Sequence, residues 1–170
     1  MTPVTRLVRR RTVAALATSA AIMFAGCRDS RALVPPSGRE SPRAIAPQVI
    51  VSADGGGYVV TLAVELRGDV GKIGSFTGRL LYDPARLAFD GEVPRTDGTL
   101  RAFNPGSGVI RVAAASQSGV DVLHLAAFRF KAADPAALQT VRLELEEVHE
   151  VSRANLTSLV DRATTVRVLR

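Results

Sequence analysis

The chain has 170 residues, 46% hydrophobic and 22% charged, with one Cys, two His and no Trp. That length fits one domain with extensions, and a lone Cys excludes both an internal disulfide and a cysteine-ligated zinc site. The net charge of +6 is confined to the start: eight of the 22 Lys/Arg and two of the 16 Asp/Glu precede residue 48, leaving 14 of each in 48–170. A neutral domain lacks the clustered cations that bind phosphate, so no nucleic acid is expected as a partner.

Residues 1–26 read as an export signal. Arg6, Arg9, Arg10 and Arg11 form a positively charged start, and 12–24 is an uncharged, mostly apolar run of the length of a signal core. It is shorter than the about 20 apolar residues that a membrane span takes. Phe24-Ala25-Gly26-Cys27 resembles a bacterial lipobox, although Phe24 stands where Leu is usual. The resemblance implies that Cys27 becomes a lipid-bearing N-terminus, with the exported domain held at the bacterial cell envelope by that anchor alone. The alternatives are an ordinary secretory signal and, from Arg9-Arg10, a twin-arginine signal. Residues 27–47 follow as a linker, with Pro35, Pro36, Pro42 and Pro47 among Ser, Gly and Arg. Such a composition is extended, at about 3 Å per residue.

From Gln48 on, short apolar runs alternate with Gly, Asp and Pro turn clusters. Gln48–Ser52 is the first expected strand and 54–57 (Asp-Gly-Gly-Gly) a turn. Tyr58, Val60, Leu62, Val64 and Leu66 then alternate with Thr61 and Glu65, the period of a half-buried strand. Ile73–Tyr82 repeats the pattern, with Phe76, Gly78, Leu80 and Tyr82 inward and Ser75, Thr77 and Arg79 outward. Asp83-Pro84 ends it, since Pro lacks a ladder donor. Further strands are expected at Leu87–Phe89, Leu100–Asn104, Val109–Ser116, Val122–Lys131, Thr140–Val148 and Val166–Leu169, with one helical turn at Asn155–Val160. Val122–Lys131 supplies Leu123 and Leu125. Eight or nine strands and no amphipathic helix predict an all-β antiparallel sandwich or barrel over 48–170.

Three segments, in order, resemble a cohesin domain. They are Ile73 to Pro84, ending in Tyr-Asp-Pro and followed by Leu87; the strand Gly108-Val109-Ile110-Arg111-Val112-Ala113; and Leu123 through Phe128-Arg129-Phe130-Lys131. The resemblance implies a jelly-roll sandwich of about nine strands and a non-catalytic module without cofactor. It implies a dockerin-like module or another envelope protein as the partner, met on the sheet face of the third, fifth, sixth and eighth strands. By position, that face contains Ser75, Thr77 and Arg79 on the third strand and Arg111, Ala113 and Ala115 on the sixth. Gly78 stands where an inward apolar residue is usual, with Phe76 expected to compensate.

Other chemistry has weaker support. Ser52, Ser75 and Ser116 lack a Gly-x-Ser-x-Gly context. His149 follows an acidic run but has too few neighbouring ligands for a metal. No Asp-rich calcium loop is present. Sugar-binding platforms rely on exposed flat rings; here Tyr58, Tyr82, Phe76, Phe89, Phe128 and Phe130 fall on core faces, leaving Phe103 as the aromatic expected at the surface. A polysaccharide-binding module and a purely structural envelope lipoprotein are the two alternative readings.

Overall fold

A computed structural model describes residues 42–169; the expected signal, Cys27 and most of the linker lie outside the described residues. Nine strands form in chain order: β1 (Ala44–Asp54), β2 (Gly57–Arg67), β3 (Ile73–Leu81), β4 (Leu87–Glu92), β5 (Leu100–Gly106), β6 (Val109–Ala115), β7 (Ala126–Ala132), β8 (Arg142–Glu150) and β9 (Thr165–Val168). Short 3-10 turns occupy Pro135–Thr140 and Thr157–Leu159. One sheet has the order β4-β7-β2-β1-β9 and the other β5-β6-β3-β8. Their inner faces enclose one core, with Val49, Val60, Leu62, Leu80, Ile110, Phe128, Phe130 and Leu143 at or below 1% exposure. The chain is thus an all-β sandwich, and the alternation in β2 and β3 points the expected side chains inward.

Several boundaries differ from the sequence expectation. β1 begins at Ala44, so Ala44 to Pro47 belong to the sheet rather than to the linker. Pro47 is tolerated because its missing donor has no acceptor to meet. It lies opposite Val64, whose N–H donates to the Val122 carbonyl instead. On the other side, pairing with β9 starts only at Gln48. Val122–Leu125, expected as strand, is a turn: the Asp121 carboxylate accepts from the Leu123 N–H at 3.0 Å and its carbonyl from the His124 N–H at 3.1 Å. Leu123 is therefore swung outward, 61% exposed.

Gly78 is explained by a bulge. Thr77 pairs with Glu147 but Gly78 with Leu145, leaving Glu146 as the extra residue in β8. A Cβ at Gly78 would sit 2.6 Å from the Glu144 carbonyl oxygen and 3.2 Å from a Leu145 methyl. The space is thus filled by the β8 backbone and Leu145, and Phe76, which is buried on the same inner face, is not what compensates.

β8 is an edge strand, and exposed edges invite unwanted pairing. Its edge is sealed by hydroxyls. Thr164 Oγ1 accepts from the Leu143 N–H at 3.0 Å and donates to the Leu143 carbonyl at 2.7 Å. Thr157 Oγ1 accepts from the Val148 N–H at 3.0 Å, and the Leu156 N–H donates to the Val148 carbonyl at 2.8 Å. Replacing Thr164 by Val keeps the shape but leaves both part-buried Leu143 groups unpaired. Urea denaturation of Thr164→Val should show a loss of about 1–3 kcal/mol, and an unchanged midpoint would show that water seals this edge as well as the hydroxyl does.

Candidate functional site

The outer face of the β5-β6-β3-β8 sheet brings all six expected face residues together. β3 and β6 pair antiparallel with Ser75 opposite Ala115, Thr77 opposite Ala113 and Arg79 opposite Arg111. The flanking strands extend each pair into a row. On β5, Leu100, Ala102 and Asn104 lie opposite Ala115, Ala113 and Arg111. On β8, His149, Glu147 and Glu144 lie opposite Ser75, Thr77 and Arg79. Leu100, Ala102 and Asn104 on β5 and Glu144, Glu147 and His149 on β8 are the face residues that the sequence reading missed. Their signal was available only through the β5 and β8 registers, which no local pattern specifies.

The middle of this face is floored by small side chains. A depression of about 280 Å³ is lined by Ser75, Thr77, Leu100, Ala102, Ala113 and Ala115, with Glu147 and His149 on its β8 side. It runs into a second hollow of about 980 Å³ bounded by Gly74, Ser116, Val151 and Arg153, sharing Ser75, Leu100, Ala115 and His149 with the first. Leu100 is 78% exposed, the most exposed of the large hydrophobic side chains among the described residues. Solvent exposure of so large an aliphatic group beside small neighbours is the informative observation on this face.

Charge is unevenly distributed. Arg79 Nε lies 2.8 Å from Glu144 Oε2 and 3.4 Å from Glu146 Oε1, and this pairing raises the guanidinium pKa further above its ordinary value. His149 Nε2 is 4.0 Å from Glu147 Oε1, and no cluster of three His, Cys, Asp or Glu side chains fit for a metal occurs among the described residues. Phe103 is turned inward from β5 and meets Phe128 edge-on at 5.9 Å. At 38% exposure it is the one exposed aromatic among the described residues, as the sequence reading expected, and a single ring seen edge-on makes no flat platform.

An ion-pair cluster holds β5, and with it Leu100, in place. Arg101 points into the sandwich: its guanidinium donates to both Asp97 oxygens at 2.7 Å and its Nε to the Leu125 carbonyl at 2.8 Å. Arg95 joins the cluster through Asp97 at 3.5 Å and Asp121 at 3.3 Å. Only 9% of the Arg101 side chain is exposed. The hydrogen bonds from Arg101, set against a smaller desolvation penalty, hold the Asp97 carboxyl far below the usual carboxylate range.

No protein-family model matches the sequence, and no curated protein matches it. Solved structures match the fold. A non-cellulosomal cohesin from Archaeoglobus fulgidus aligns with a TM-score of 0.51 at 20% identity, over 75% of this chain and 91% of that one. A cohesin module from a Clostridium perfringens family 33 glycoside hydrolase aligns with a TM-score of 0.52 at 10% identity, over 75% of this chain and 100% of that one. The sixth cohesin of Acetivibrio cellulolyticus scaffoldin B, solved in complex with a mutant Cel5 dockerin, aligns with a TM-score of 0.50 at 15% identity, over 74% and 99%. The fold is cohesin-like.

The Asp97 cluster carries a pH signature. A carboxyl depressed in the folded state stabilises it above the unfolded carboxylate pKa and loses that contribution as pH falls below about 4. Thermal melting from pH 6 to pH 2 should therefore show a steeper fall in Tm for the unmodified chain than for Asp97→Asn, whose melting point starts lower. Parallel curves would remove Asp97 from the acid response.

Proposed function

We propose that this cohesin-like sandwich is a non-catalytic docking module whose partner, a dockerin-like module or another envelope or secreted protein, is met on the outer face of β5-β6-β3-β8. The observation that carries the reading is the small-residue floor of Ala102, Ala113, Ala115, Ser75 and Thr77 beside the exposed Leu100. A floor of Cβ-sized groups lets a partner's backbone come close, and an exposed aliphatic side chain at its border gives the contact an apolar anchor. The likeness in fold to cohesins, one of them solved with a dockerin, supports the same assignment.

The test is capture by the full chain, purified in detergent and immobilised, from envelope and secreted fractions with calcium or with a chelator. Calcium-dependent recovery of a protein with duplicated Asp-rich loops is the expected result. Thr77→Arg combined with Ala113→Arg should abolish that capture while the chain still melts cooperatively, at a modestly lower temperature because both side chains point out of the sandwich but stand directly opposite each other. Capture that survives the double change would move the site off this face. Binding to a glycan array in place of a protein would favour the polysaccharide reading.

We further propose that Cys27 anchors the module to a bacterial membrane. The basic start, the apolar run and the small residues before Cys27 support it, and the Pro-rich segment that follows would serve as the spacer. Metabolic labelling with a radioactive fatty acid should mark the protein and should fail to mark Cys27→Ala. Labelling that persists in that variant would place any lipid elsewhere.

A further inference from the structure

The larger hollow, of about 980 Å³, lies where β3 and β5 start and β6 and β8 finish. Its walls are tied to the start of β3. On one side the Ser116 N–H donates to the Gly74 carbonyl at 2.8 Å, and on the other the Val151 N–H donates to the Lys72 carbonyl at 2.9 Å. A Cβ on Gly74 would stand 2.8 Å from Val151 Cα, so the turn after β8 sits directly on the β3 backbone. That turn also closes on itself: the Arg153 N–H donates to the Glu150 carbonyl and the Glu150 N–H to the Ala154 carbonyl, both at 2.9 Å. Walls fixed before a ligand arrives reduce the ordering cost of binding it.

Arg153 stands on the rim of this hollow. With a φ of 72° it is the one non-glycine residue in the left-handed region among the described residues, a conformation that glycine adopts without the steric cost borne by other residues. The turn by itself therefore does not account for an arginine. Arg153 is exposed, and its guanidinium has no ion-pair or hydrogen-bond partner among the described residues. The neighbouring acid is engaged elsewhere: the Glu150 carboxylate accepts from Ser152 Oγ and fills the space that a Cβ on Gly71 would need. Glu147 borders the smaller hollow and not this one. The rest of the polar lining is uncharged or basic: Ser116 and Ser118, whose hydroxyls are 3.2 Å apart, with Gln117 and His149. Leu100 and Val151, 78% and 41% exposed, add aliphatic sides.

Hydroxyl, amide and imidazole groups beside aliphatic patches are what a sugar ring can use, through its own hydroxyls and its C–H faces. No aromatic ring lines this hollow, so a neutral sugar finds no stacking platform, and its hydroxyls exchange water for protein at little net gain. A carboxylate changes that balance. Its bond to a guanidinium is charge-assisted, roughly twice as strong as a neutral one, and is made through two parallel N–H groups. We infer that this hollow is a second binding site, and that its ligand is a carboxylate-bearing saccharide of the uronic-acid class. The carboxylate pairs with Arg153, and the ring hydroxyls meet Ser116, Gln117, Ser118 and His149. The inference does not rest on the docking reading, whose central residues Thr77 and Ala113 line the smaller hollow.

The test is titration calorimetry on the full chain in detergent. The probes are tetramers of galacturonate and of glucuronate, their methyl esters as neutral twins, and sodium acetate as the bare carboxylate. At least one acidic tetramer should bind, its ester should bind about tenfold more weakly or worse, and acetate at the same concentration should give no signal. Arg153→Gly should weaken the acidic tetramer by about tenfold or more while the chain melts at the same or a higher temperature, because glycine relieves the left-handed backbone. The Thr77→Arg, Ala113→Arg variant should keep its affinity for the tetramer, which separates this site from the docking face. Equal binding of the ester, or an affinity unchanged in Arg153→Gly, would overturn the carboxylate assignment. Acetate binding as tightly as the tetramers would overturn the saccharide assignment. Binding of no saccharide would overturn the site and leave the docking reading standing.

Discussion

The register of β3 is the constraint on which the rest of the molecule depends. This strand is hydrogen-bonded on both sides, to β6 and β8, and it alternates strictly. Phe76 and Leu80 are buried while Ser75, Thr77 and Arg79 look outward. A slip by one residue would bring every inward side chain to the surface and every outward one into the core. Burying Phe76 and Leu80 therefore decides that the outer face is small and polar, and where its arginines stand. Gly78 adds a second lock, since only a residue without Cβ lets the bulged β8 backbone approach so closely.

The two edges of the same sheet are managed differently. The β8 edge is closed by Thr157, Thr164 and Leu156, which meet the outward-pointing backbone groups of Val148 and Leu143. The β5 edge carries Pro105, which offers no donor to an incoming strand, and it is tied down from within by Arg101. That arginine replaces the hydrophobic side chain usual at an inward position. It is satisfied by Asp97 and the Leu125 carbonyl, so its burial costs less than that of an unpaired charge. The consequence reaches the surface: with Arg101 fixed inward, Leu100 must point out.

The face that results is small and polar at its centre and charged along its border. Its centre offers hydroxyls and methyl groups with no polar groups converging on a single point. Its hollows are open and shallow, and its charges sit at the borders. Arg79 is paired with Glu144 and Glu146, while Arg111 across from it has no acidic partner within ion-pair distance among the described residues.

Much of this was legible in the amino-acid order. Period-2 alternation placed β2, β3, β6 and the start of β8, because one face of each strand is wet and the other dry. The six outward residues of β3 and β6 followed from that parity alone. Local patterns failed where a distant partner made the decision. Ala44 to Pro47 join β1 because β2 and β9 happen to spare the donor that Pro47 lacks. Val122–Leu125 turns because the Asp121 carboxylate captures a backbone N–H. Arg101 is inward because Asp97 and Leu125 wait for it, and Leu100, Glu147 and His149 reach the outer face of β5-β6-β3-β8 only through cross-strand register. The sequence by itself thus determined which side chains each strand turns to the core, since burial acts on each strand's own period. Only the tertiary structure decided which strands lie side by side, since pairing joins residues far apart in the chain and leaves no local trace.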